Sequence, residues 1–124
     1  MRPEGLTVWR DGRALVKEVY RISDVGAFRT DFGLRTQIRR AVISIPSNIA
    51  EGYERGGRKE FRQFLSVAKG SCGEVRTQLV LAGDLGYIGP EALTPLLERT
   101  VRLGRSLGAL RKAVSSQRDT PRTS

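Results

Sequence analysis

Histidine is absent from the 124 residues, and cysteine, tryptophan and methionine occur once each. Without histidine the chain can build neither a Ser-His nor a Cys-His nucleophile. It also lacks the Glu-x-x-His pairs with which di-iron bundles hold metal. A single thiol, Cys72, makes no internal disulfide, and a structural zinc site draws four ligands mainly from Cys and His. Phosphate-binding GxxxxGK[ST] and a GxGxxG following a strand are both missing. No apolar run approaches the ~20 residues that cross a bilayer, and the start, MRPEGLTVWRDGR, has no signal-peptide core or cleavage site. These absences lead us to expect a cytoplasmic protein with no membrane association, no metal and no cofactor.

Charge is what the chain has in excess. Twenty-two Lys+Arg against 13 Asp+Glu give +9, and the cations are mostly arginine. Arginine grips phosphate bidentately, so such a surface suits nucleic acid or another acidic partner, with a basic proteome or a merely solvated face as the equal alternative from charge alone. At 124 residues the chain suits one domain, expected over 1–116, followed by a disordered polar tail at 117–124, QRDTPRTS.

The apolar pattern is helical throughout. Val8, Leu15, Val19 and Ile22 form one seam, widened by Trp9, Val16 and Tyr20, over a first helix from about 8 to 22. A loop around Gly26 is expected over 23–31. The second helix runs from Asp31, a good N-cap, to Gly52, a good C′ residue, with Pro46 inside. A glycine turn at Gly56 and Gly57 leads to a third helix over about 58–85, with Phe61, Phe64, Leu65, Ala68, Cys72, Val75, Leu79 and Ala82 on its seam. A fourth follows Gly89, its start weakened by Pro95 and expected as late as Thr94; Leu96, Thr100, Leu103, Leu107, Leu110 and Val114 carry its stripe. Four such helices with short connections predict an all-α, up-down-up-down four-helix bundle.

Topology turns the charge into a map. Residues 1–34 carry +1, 35–62 carry +4, 63–98 carry −2 and 99–124 carry +6. In an up-down bundle Arg55, Arg58, Lys59 and Arg62 should gather with Arg105, Arg111 and Lys112 at one end, Arg10 and Arg13 nearby. Asp24, Asp31, Asp84 and Glu91 mark the other end. Arg62, Lys69 and Arg76 recur every seven residues, which places them on one side of the helix, either as an extension of the basic end along one flank or as an exposed heptad position filled with cations. Gly56, Gly57, Arg58 and Lys59 together suggest a site for a nucleic-acid phosphate at a helix N-terminus.

Polar residues recur at helical spacing too. Gln37, Ser44, Asn48 and Glu51 on the second helix match Ser71, Glu74, Thr77 and Gln78 on the third, and such stripes can satisfy each other when buried. Arg39 and Arg40 cannot face one way, and at least one should meet a carboxylate such as Glu74 or Glu51. A hydrogen-bonded helix seam or subunit contact is the favoured reading; an enzyme using Glu51 and Glu74 lacks the histidine and cofactor motifs to support it. Gly70 and Gly73, and Gly104 and Gly108, each cost up to ~1 kcal/mol inside a helix, which suggests close backbone approach.

Two stretches carry a family resemblance: FGLRTQIRRAVISIPSNIAEG at 32–52 and FLSVAKGSCGEVRTQL at 64–79. Together they resemble the four-helix-bundle proteins encoded in intervening sequences of bacterial large-subunit ribosomal RNA genes. They are similar, more distantly, to the accessory variability determinant of diversity-generating retroelements. The resemblance spans roughly 6–112 and implies a homopentameric ring whose basic surfaces act multivalently. It implies a non-catalytic protein with itself and nucleic acid, RNA or DNA, as partners, and, through the distant relative, a reverse transcriptase. A protein-interaction scaffold is the alternative.

Overall fold

The computed structural model describes residues 2–116; the expected tail at 117–124 lies outside the described residues. A short 3-10 turn, Pro3–Gly5, precedes five α-helices: α1 Thr7–Ile22, α2 Gly26–Thr30, α3 Phe32–Glu54, α4 Arg58–Asp84 and α5 Pro90–Ser116. The four long helices pack around one core in up-down-up-down order, with no strand among the described residues. Ile38, Val42, Ile45 and Ile49 of α3 and Leu65, Ala68, Val75 and Leu79 of α4 are buried at its centre, with Leu15 and Val19 of α1 and Leu103 and Leu107 of α5.

Close contacts fix the antiparallel register. A Cβ added at Gly12 of α1 would lie 3.1 Å from Ile45 Cγ2 and 3.4 Å from Pro46 Cδ. Ser44 of α3 meets Ser71 of α4, and Gly108 of α5 lies against the Lys69 stem of α4. Packing is heavy between α3 and α4, between α4 and α5, and between α1 and α3, but α1 touches α5 only lightly. A cleft therefore remains along that fourth seam.

The end that holds the α1–α3 and α4–α5 connections is sealed by aromatic packing and caps. Asp31 caps α3, accepting from the Leu34 N–H at 3.1 Å and from the Tyr87 hydroxyl at 2.8 Å. Phe28, fully buried, packs 5.5 Å from the Tyr87 ring. Gly86 takes φ +76 while the Tyr87 N–H bonds to Ala82 O, the Schellman arrangement that ends a helix on a left-handed residue.

Three expectations change. The loop around Gly26 contains α2, because burying Phe28 orders one turn that no periodicity could announce. Gly52 is no C′ residue: α3 runs on to Glu54. Gly52 is small because its Cα faces Phe64, whose Cβ would be 2.5 Å from any added methyl. Helix α5 starts at Pro90, a proline suited to a first turn, and not as late as Thr94; Pro95 lies inside its second turn, where it withholds one backbone N–H without ending the helix.

Candidate nucleic-acid interface

The seam between α4 and α5 gathers cations from both helices. In the register set by Lys69 opposite Gly108, the α4 row Arg62, Lys69, Arg76 interleaves with Arg102, Arg105 and Lys112 of α5. Arg76, Arg102 and Arg105 line one shallow groove of about 340 Å³ with Leu97, Val101 and a single carboxylate, Glu98. From Arg62 to Arg76 the row covers about 21 Å at 1.5 Å per residue. None of Arg62, Lys69, Arg76, Arg102, Arg105 or Lys112 has a carboxylate within 4 Å among the described residues. Their charge therefore faces solvent uncompensated at close range.

The expected cluster at the α3–α4 turn is less open. Arg55 is tied to Glu51 at 3.1 Å and lies 5.3 Å above the Phe64 ring. At the N-terminus of α4 the Glu60 carboxylate folds back over Gly57, 2.5 Å from where a Cβ would sit. The positive end of that helix thus already faces an anion of its own chain, which removes the reason to read Gly56, Gly57, Arg58 and Lys59 as a phosphate loop. Arg10 bonds Thr7 Oγ1, and Arg13 lies 5.7 Å over Trp9 in the groove between α1 and α3. The bundle does not bring these two onto the α4–α5 seam. Arg111 is exposed near the end of α5.

At the opposite end the cations are paired. Asp24 Oδ1 lies 3.9 Å from Arg29, 3.7 Å from Arg35 and 3.9 Å from Arg39, and Glu18 holds Arg21 at 2.7 Å. Arg39 donates through Nε to Ser23 Oγ at 2.9 Å and lies 4.3 Å over Tyr20. It thus belongs to the α1 side of α3, and the polar seam with α4 loses it. Neither Glu51 nor Glu74 is its partner.

What remains of that seam is a small network. Asn48 Nδ2 donates to Ser44 O at 2.7 Å and to Ser44 Oγ at 2.9 Å, and the Ser44 and Ser71 hydroxyls are 2.7 Å apart. Gln37, Arg40, Ser44, Ser71 and Glu74 border one cleft of about 280 Å³. Gln78 is 7% exposed and its Oε1 has no hydrogen-bond partner. The two glutamates do not share that cleft, since Glu51 is bound to Arg55. Cys72 is buried in the core, its thiol pushed up to about 12 by desolvation. No group of three His, Cys, Asp or Glu side chains is placed to hold a metal among the described residues, and no described helix is long and apolar enough to cross a membrane.

Of the four glycines expected to mark close approach, Gly108 alone has a neighbour, the Lys69 stem, and a Cβ at Gly70, Gly73 or Gly104 would meet nothing within 4 Å among the described residues; the close approaches are instead at Gly12, Gly52 and Gly83. Near Gly70 and Gly73, α4 exposes Val67 at 51%, and further along it exposes Leu81 and Leu85 at 46% and 57%. Arg99 and Arg102 were not among the residues expected from sequence to bind nucleic acid. Their i, i+3 spacing with Arg105 was a signal, but their side of α5 depends on how that helix is rotated against α1 and α4.

Against known proteins, residues 4–109 match the model of the 23S rRNA-intervening sequence protein family. Comparison with curated proteins gives no match. Among solved structures, the chain is similar to a protein of unknown function from the S23 ribosomal protein family of Bacteroides thetaiotaomicron VPI-5482, with TM-score 0.78 and 21% identity over 86% of this chain and 99% of that one. At that identity the likeness concerns the fold. The chain belongs to the 23S rRNA-intervening sequence protein family.

Proposed function

We propose that this member of the intervening-sequence protein family is a non-catalytic, oligomeric protein that binds the phosphate backbone of nucleic acid with little sequence preference. The observation that carries this reading is the interleaved row of Arg62, Lys69, Arg76, Arg102, Arg105 and Lys112, without a close carboxylate among the described residues. Phosphates recur about every 3.4 Å along one strand of a duplex, so a row about 21 Å long spans about six, room enough to engage about five. Shallow relief and point charges read backbone, not base edges.

Assembly is supported by a different surface. Gly70 and Gly73 weaken α4 with no contact among the described residues to justify them, and the same helix exposes Val67 near them and Leu81 and Leu85 further along, while Ser71 beside Gly70 belongs to the Ser44–Ser71 network. A second copy packed there, repeated to a ring of five, would set several basic seams side by side and strengthen weak contacts by multivalency. The role that fits is an accessory holding RNA, alone or for a polymerase such as a reverse transcriptase, in the cytoplasm.

Fluorescence anisotropy against salt tests the binding. With about five phosphates neutralised, log K should fall with log[salt] at a slope near −4.5 for duplex and about −3.5 for single strands. A flat salt response, or no binding at low salt, overturns the reading. Light scattering tests the assembly, which requires a mass several-fold above the 13.7 kDa of one chain. Capture from lysate that persists after nuclease treatment would favour a protein scaffold instead.

A further inference from the structure

The lightly packed seam between α1 and α5 holds a cleft of about 400 Å³ lined by Asp11, Leu15, Arg99, Arg102, Leu103 and Ser106. Its size falls in the range of small-ligand sites. Arg102 also lines the α4–α5 groove, so the cleft is reached from the basic row through a shared residue. We infer that this cleft takes one ribonucleotide of a bound strand: Arg99, Arg102 and Ser106 hold its phosphodiester while the Asp11 carboxylate accepts a hydrogen bond from a ribose 2′-hydroxyl. The inference rests on the backbone-binding reading above and deepens it, since it makes the protein prefer RNA to DNA.

The chemistry of the lining carries the argument. Two guanidinium groups and one carboxylate leave +1, which matches a single phosphodiester better than a doubly charged terminal phosphate. Asp11 borders the same cleft as both arginines, yet lies within 4 Å of neither among the described residues. All three groups therefore remain open to a ligand. A site for phosphate alone gains nothing from a carboxylate, which repels the anion. An ionised carboxylate is acceptor-only, so a strand that displaces water from Asp11 must offer it a donor, and the sugar hydroxyl beside the phosphate is the donor that RNA has and DNA lacks. Leu15 and Leu103, both buried, form an apolar floor for the C–H face of a sugar. Arg99 is half-buried while Arg102 is exposed, so the first is placed to hold a phosphate and the second to guide the strand in.

Anisotropy with a single-stranded RNA 12-mer, the DNA of the same sequence and a fully 2′-O-methylated RNA provides the test. Wild-type protein should bind the RNA about tenfold more tightly than either of the others, the scale of one charge-assisted hydrogen bond. Asp11 is exposed, so Asp11→Ala keeps the fold, which circular dichroism verifies, and it should collapse the RNA:DNA ratio toward one. A purely electrostatic Asp11 would instead strengthen both strands alike and leave the ratio unchanged. Arg99→Gln should weaken both. Equal affinity of wild type for RNA, DNA and methylated RNA, or a ratio unmoved by Asp11→Ala, overturns this inference alone. Absence of binding to any strand overturns the backbone reading with it.

Discussion

The two concentrations of positive charge on this bundle are organised in opposite ways. At the end where α1 turns into α3, three arginines surround Asp24 and a fourth lies on Glu18, with Arg39 further held by Ser23 and Tyr20. Those cations serve the fold: they tie α1, α2 and α3 together around a shared anion. Along the α4–α5 seam, six cations stand with no close carboxylate among the described residues. Like charges so arranged repel and give the monomer nothing. A net charge of +9 is therefore a poor guide by itself, and the arrangement of anions decides which cations are available to a partner.

The contrast breaks most sharply under charge reversal. Lys69→Glu, Arg76→Glu and Arg105→Glu together should lower nucleic-acid affinity by about 100-fold or more, since each removes a phosphate contact and adds repulsion. The matched triple Arg21→Glu, Arg29→Glu and Arg35→Glu at the far end should change it by no more than about twofold. Equal losses from both sets, measured by anisotropy at fixed salt, would erase the distinction.

Glycine substitutions sharpen it next, through stability. Gly86 sits at φ +76 in the turn beside the Asp31 cap, and Gly86→Ala should cost about 1–2 kcal/mol in urea unfolding. Gly104 on the open flank meets nothing, so Gly104→Ala should raise stability by up to ~1 kcal/mol. Asp24→Ala should be smaller, about 0.5–1 kcal/mol and fading with added salt, because Asp24 is 58% exposed and such pairs are weak.

The gentlest test is pH. The Leu34 N–H first, and the Tyr87 hydroxyl second, hold Asp31 below its ordinary 3.8. Its stabilisation is fully present above 3.8 and is lost as pH falls through the lower folded value. Asp31→Asn should thus be less stable than wild type near neutrality, with the gap closing at acid pH. The same bond holds Tyr87 above its ordinary 10.0, so that contribution is present below 10 and disappears as pH rises through the folded value. A gap independent of pH would remove Asp31 from the account.

Periodicity made the four long helices readable, since three- and four-residue steps such as Leu34, Ile38, Ala41, Ile45 and Ile49 need only local counting. The Ser44–Asn48–Ser71 network was readable for the same reason: its members share a face on helices adjacent in sequence. Helix α2 was not, because one buried Phe28 has no period. Gly52 misled because a glycine before a polar stretch imitates a helix end, while its actual role depends on Phe64 of the next helix. Arg39 was assigned to the wrong flank, as its partners Ser23 and Asp24 lie 16 and 15 positions away and across a turn. The α1–α5 cleft joins residues roughly ninety positions apart, and only the packing of a fourth seam could place Asp11 beside Arg99 and Arg102.

Cys72 supplies a built-in gauge. Its sulfur sits in the core with its acidity suppressed to about 12, so at neutral pH almost no thiolate exists to react. Alkylating dyes then label the chain only during moments when α4 peels from its neighbours, and labelling speed converts directly into the frequency of those openings. Any bound strand or neighbouring copy that clamps α4 will slow that clock, with the native thiol as the reporter and no residue added to the chain.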